Sequence, residues 1–301
     1  MRTCLVLMLA VIAAGSAFAV EFTFKEEPAQ LVLLGDGKPW LSTWMAKYDP
    51  AKGEETYKVY THIYDFEGKA PITKGQGGKY THHRGMFIGW KNTVVNGASY
   101  NIWEMSNSTQ RHVEWLDRKA GKDKAAQSEK IRWCADDGKP LIEEIRTIAA
   151  APGPNGARVF NFQSTLASLA GKIELSGDLQ HAGMQVRMEN EVSEHEATTQ
   201  YILPEGATEE PDDKVVGAWW VCCSPVVREK RYWIMHMTPR THALGQPVYS
   251  IRRYARFGAF FEPTLEEGKP QTFSFRVLVS EKELDRAACA ALYQDYVKTV
   301  P

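Results

Sequence analysis

The densest run of groups able to move protons or hold a ligand is Tyr80-Thr81-His82-His83-Arg84-Gly85-Met86-Phe87-Ile88-Gly89-Trp90-Lys91. Two imidazoles, which titrate near neutrality, and a guanidinium able to fork onto a carboxylate or sugar hydroxyls stand directly before an apolar strand pattern. Successive side chains of an extended segment face opposite ways, so only one of His82 and His83 is expected in a given cleft. His83 is taken as a catalytic candidate, His82 and Arg84 as substrate-binding ones. In Tyr100-Asn101-Ile102-Trp103-Glu104 a carboxylate follows an indole, and an apolar neighbour raises a carboxyl pKa as a general acid requires. Glu104 is therefore a second catalytic candidate, with Trp103 and the nearby His112 as substrate contacts.

Two further histidines complete the catalytic set. His181 stands at a turn in Gln180-His181-Ala182-Gly183, with Arg187 in the strand that follows. His236 lies in Met235-His236-Met237, which reads at first as a copper site. Strand alternation sends both thioethers to one face and the imidazole to the other, so the methionines are expected in a core. His195 and His242 read as loop residues. Tyr249–Gly258 alternates Arg with aromatics; Arg253 and Tyr254 there could stack on and donate to a sugar, or the segment could be a solvated edge strand. His83, His181, His236 and Glu104 would also make a mixed N/O donor set for a divalent metal, although no ligand spacing marks one and no cofactor is demanded.

The elements that must position these groups read as strands. Tyr57–Phe66 alternates, and Thr272–Val279 places Phe273, Phe275, Val277 and Val279 on one face. Ile131–Ala135 and Leu141–Ile148 flank Asp136-Asp137-Gly138-Lys139-Pro140, a hairpin signal. Similar runs fall at Val159–Leu166, Met184–Val192, Ala218–Cys223, Tyr232–Met237 and Val248–Phe261. Lys119–Lys130 and the acidic Glu205–Asp213 read as loops, and so does Gly75-Gln76-Gly77-Gly78. One helix is expected, capped by Ser280 and Glu283, with Leu284, Ala288, Leu292 and Tyr296 as its apolar stripe. The expectation is an all-β, two-sheet antiparallel sandwich with one C-terminal helix, forming a single domain over residues 20–301.

Arg2, the apolar run Cys4–Ala14 and Ala17-Phe18-Ala19 have the pattern of a signal peptide over residues 1–19, which predicts an exported protein, periplasmic or extracellular. Beyond it the longest uninterrupted apolar run, Ala287–Tyr293, has seven residues, against about 20 for a membrane-spanning helix. Membrane insertion is therefore not expected. Among 301 residues, 36 Lys+Arg oppose 37 Asp+Glu, a balance that gives nucleic acid no electrostatic footprint. Cys134, Cys222, Cys223 and Cys289 allow three pairings, but adjacent Cys222 and Cys223 would strain a ring. They read best as buried thiols. No phosphate-binding glycine loop, serine elbow or His-Glu-x-x-His helix occurs.

Taken together, Thr81–Gly89, Asn96-Gly97 leading to Trp103-Glu104, Gly177-Asp178 through His181-Ala182-Gly183 to Arg187, and Arg253-Tyr254 to Phe257-Gly258 resemble the secreted bacterial proteins called PmoA-like, or "methane oxygenase". The chain departs from that pattern at Trp220-Val221-Cys222-Cys223 and at His236-Met237-Thr238-Pro239. The resemblance implies a galactose-mutarotase-like supersandwich. It does not imply methane oxidation, since a subunit of a membrane monooxygenase must cross the bilayer. The expected function is a carbohydrate-active enzyme of hydrolase, lyase or epimerase type, acting on a sugar or glycoside with a His/Glu acid–base set. A non-catalytic carbohydrate-binding sandwich and a metal-dependent enzyme are the alternatives, and the sequence leaves oligomeric state open.

Overall fold

Alternating apolar residues can be buried only if a second layer covers their face, and here two large sheets cover each other. A computed structural model describes residues 19–300; the signal-peptide expectation lies outside the described residues except for Ala19. The larger sheet orders ten strands as Phe22–Glu27, Gln30–Gly35, Lys38–Trp44, Tyr60–Ile63, Met86–Trp90, Ala182–Arg187, Arg256–Phe260, Val248–Arg252, Lys214–Val216 and Thr208–Glu210. The second orders eight as Gln200–Ile202, Trp220–Ser224, Trp233–Met237, Gln271–Ser280, Arg158–Ser168, Pro140–Pro152, Lys124–Ala135 and Ser108–Gly121. Within both, neighbouring strands run antiparallel. Leu33, Ile88 and Phe257 of one sheet share a core with Trp133, Phe160 and Phe275 of the other. This is the all-β sandwich expected from the sequence.

The second sheet's outer face carries the C-terminal helix, Arg286–Thr299, over Trp220, Cys222, Met235, Met237 and Leu278. The methionines therefore do lie in a core, on the side opposite His236. All four described cysteines are buried with free thiols. The helix starts later than its expected cap. Ser280 ends a strand and bonds Lys282, whereas Asp285 accepts from the Ala288 amide at 2.8 Å. Of the expected stripe Tyr296 is buried, joined by Cys289 and Tyr293, while Leu284 and Leu292 are only partly buried against the same cluster. Asp285→Ala should lower stability by about 1 kcal/mol, read as a drop in Tm, while Ser280→Ala should leave helix content unchanged.

Three segments correct the sequence reading. Lys119–Lys130 is the tip of a long hairpin, Ser108–Gly121 paired with Lys124–Ala135; the outer strand's distal part is largely exposed, so no apolar alternation reports it. Tyr57–Phe66 is a strand only over Tyr60–Ile63. Val248–Phe261 is a hairpin, with Arg253, Tyr254 and Ala255 as its turn and Ala255 in the left-handed region at φ +54°. Among the described residues, no helix is long and apolar enough to cross a membrane.

Candidate functional site

The outer face of the larger sheet is polar where a solvent-facing sheet would be, yet it is buried. Gln185 and Arg187 alternate with core residues Met184 and Val186, and Ser250 and Arg252 with Tyr249 and Ile251; all are buried. What covers this face is a set of turns, and each turn has a local cause. Tyr80, at φ +57°, closes a turn through its carbonyl and the His83 amide, 2.9 Å apart. Because the segment is a turn rather than a strand, His82 and His83 face the same cleft, contrary to the alternation argument. Their rings meet edge-to-face at 4.3 Å. Two residues on, Gly85 lets the chain enter the sheet, since a Cβ there would strike the Thr61 carbonyl.

Asn101 builds the second turn. Its Oδ1 accepts from the amides of Trp103 and Glu104 at 3.2 and 2.8 Å, and its Nδ2 donates to Glu104 Oε2 at 3.0 Å. Asp178 builds the third, accepting from the Gln180 amide at 2.9 Å and lying 2.6 Å from His181 Nδ1. His181 Nε2 then points to Glu104 Oε1, 3.6 Å away. Lys58, buried and unremarked in the sequence, ties two turns together by donating to the carbonyls of His82 at 2.8 Å and Trp103 at 2.6 Å.

These turns enclose a cleft of about 310 Å³ lined by Tyr80, His82, His83, His181, Arg252 and Tyr254, with Gln180, Asp212 and Asp213 completing it. Tyr80 and Tyr254 lie with ring centroids 5.1 Å apart, and Tyr254 stacks near His83 at 6.0 Å. Burial drives the His82 imidazole down to about 3, helped by Lys58 and His181. Burial, then Arg256, holds His83 well below its ordinary range. Both rings are neutral at pH 7. Burial raises the Asp178 carboxyl, but the His181 ring and the Gln180 amide outweigh it and bring it below its usual value. Around this cleft His82 Nε2, His83 Nδ1, Trp103 Nε1, Arg187 Nε, Arg252 Nη2 and Arg256 Nε are buried without a hydrogen-bond partner. Buried polar atoms are ordinarily hydrogen-bonded, so these six have capacity left for water or a ligand.

The structure thus gathers His82, His83, Trp103, Glu104, His181 and Tyr254, with Arg187 beneath Tyr254 at 4.6 Å. Four expected site residues lie elsewhere. His236 is fully buried in the sandwich core, its ring against Tyr249 and Phe275 and its Nε2 2.9 Å from Met184 Sδ. His112 is on the other sheet, 2.8 Å from Glu129. The Arg84 guanidinium is buried and engaged by the carbonyls of His83 and Glu54. Arg253 is half-exposed near Glu209 and Thr199. His242, read as a loop residue, is buried against Phe261. Asp212 and Asp213 escaped notice because the acidic segment has no pattern of its own; Asp213 pairs with Arg252.

Fold and site together define a β-protein built on two large antiparallel sheets, with an imidazole- and carboxylate-lined cleft on the outer face of one. Residues 30–294 match a family of unknown function, DUF6807, and the chain belongs to that family. The PmoA-like label has no counterpart in the matches. Among solved structures it is similar to a GalM/aldose epimerase homologue from C. elegans, at 7% identity and TM-score 0.34, over 87% of this chain and 99% of that one. It is also similar to a putative kojibiose phosphorylase from the human microbiome, at 9% identity and TM-score 0.30, over 93% of this chain and 36% of that one. No curated protein matches the sequence.

Proposed function

We propose that the chain is a carbohydrate-active enzyme working by proton transfer in this cleft. The observation that carries the reading is the convergence, in one partly open cleft, of an imidazole oriented by a carboxylate (His181 on Asp178), a second carboxylate facing it (Glu104) and two neutral imidazoles. Glycoside cleavage and sugar epimerisation each require one group to give a proton to an oxygen and another to take one. Tyr80 and Tyr254 offer ring faces to a pyranose, and Asp212, Asp213, Gln180 and Arg252 offer hydroxyl partners.

The test is a panel of sugars and glycosides followed by NMR for consumption or anomer exchange. His83→Ala and His181→Ala should each lower turnover by about 10² or more while near-UV circular dichroism stays native. Unchanged rates in both variants would remove the assignment. Saturable binding with no product from any sugar would establish the carbohydrate-binding alternative instead.

A further inference from the structure

We propose that His82, Glu104 and His181 form a binding site for one divalent first-row transition-metal ion beside the cleft that His82 and His181 line. One donor atom from each of these side chains lies within 4.8 Å of the other two. The individual contacts fit ligands better than they fit each other. His181 Nε2 and Glu104 Oε1 are 3.6 Å apart, long for a hydrogen bond. Donors about 2.0–2.2 Å from a shared ion stand roughly 3.3–3.6 Å apart. His82 Nε2 is buried with no hydrogen-bond partner.

The surroundings are those of an oriented donor set. Asp178 Oδ1 occupies His181 Nδ1 at 2.6 Å, so Nε2 is the nitrogen left for an ion. Metal-bound histidines characteristically engage their other nitrogen in this way. Asn101 Nδ2 occupies Glu104 Oε2 and leaves Oε1. Lys58 pins the His82 and Trp103 carbonyls, fixing the backbone of one ligand and that of the residue before another. Two imidazoles and one carboxylate favour Zn²⁺, Mn²⁺, Fe²⁺, Co²⁺ or Ni²⁺ over the oxygen-seeking Ca²⁺ and Mg²⁺. Three protein ligands leave coordination positions for water or substrate, as in catalytic sites. His83, outside the donor set, stays a free imidazole beside it.

This inference deepens the catalytic reading, because the ion would polarise a bound water or hydroxyl next to His83, but binding of the ion stands or falls by itself. The measurement uses untagged protein stripped with chelator, titrated with Zn²⁺ by calorimetry, and analysed for metal after gel filtration. One equivalent should bind. Affinity should fall at least 100-fold in His82→Ala, His181→Ala and Glu104→Gln, and 10–100-fold in Asp178→Asn, whose side chain is half-exposed and whose loss leaves the core intact. His195→Ala, at an exposed position, should bind as the wild type does. A Co²⁺-loaded sample gives an independent absorption signature of the N/O set. Absence of a retained equivalent, or binding that survives the ligand substitutions, overturns the site. Ion binding with no sugar turned over under any metal leaves the site and removes the proposed function. Full turnover dependent on His83, in a protein that retains no equivalent of metal, does the reverse.

Discussion

Glu144→Ala should destabilise the fold by about 3–5 kcal/mol, the cost of leaving a buried partner charge uncompensated. Glu144 and Arg146 project from one face of Pro140–Pro152 into the sandwich, and both side chains are fully buried. Every direction around the carboxylate is occupied. Arg146 Nε and Nη2 reach it at 2.9 and 2.8 Å, and Trp133 Nε1 and Ser164 Oγ, from the two flanking strands, at 2.8 Å each. The remaining arm, Arg146 Nη1, crosses to the other sheet and donates to the Val59 carbonyl at 2.9 Å. Removing Glu144 leaves a guanidinium in the core with one partner. Removing both charges, as in Glu144→Leu with Arg146→Met, should recover most of the loss, since well-packed apolar replacements of buried pairs are often neutral. Urea unfolding of the singles and the double closes the cycle. A single-variant loss under 1 kcal/mol would show that water reaches the pair. Val59 adjoins Lys58, which ties the His82 and Trp103 turns, so Glu144→Ala should also loosen the cleft before global unfolding, seen as faster amide exchange at His82–Arg84.

What could be read from the sequence follows the physics of one-sided burial. Thr272–Val279 faces a core with every second residue, and its register is legible; so is the hairpin at Asp136–Pro140, where Gly138 takes φ +86°. The outer strand Ser108–Gly121 carries no such signal over its exposed half. The turns around the cleft defeat alternation for a different reason. Tyr80 and Ala255 hold left-handed conformations without being glycine, so neither turn is announced by its residue types. The Arg-aromatic segment could then be read as one strand, placing Arg253 and Tyr254 together when the turn separates them. His236 was placed on the correct side of its strand, away from Met235 and Met237, but that side is the core rather than a cleft. Asp178 and His181, three residues apart at a glycine-led turn, were within reach of local reasoning. Lys58, Asp212 and Asp213 were not, because long-range pairing alone brings them to the site.

Acid should unfold this protein over an unusually early range, and the sign follows from histidines buried neutral. Burial pushes His62 down to about 4 and His236 down to about 3; Arg84 and Lys74 add to the effect at His62. Both folded values lie below the unfolded value of about 6.5. The unfolded chain therefore binds protons that the native state refuses. The stabilisation is complete above pH 6.5 and drains away as pH falls toward 4 and then 3. Each histidine contributes about 1.4 kcal/mol per pH unit, so the pair gives roughly 3 kcal/mol per unit between pH 6 and 4. Glu129, raised by burial against the pull of His112, acts in the opposite direction, one group against the five depressed histidines His62, His82, His83, His236 and His242. Urea midpoints at pH 7, 6 and 5 should fall steadily, and His236→Phe should remove about half of the pair's slope. A stability that is flat from pH 7 to 5 would mean that these rings are hydrated or charged in the native state. His82 and His83 are depressed in the same sense and add to the acid sensitivity of the fold.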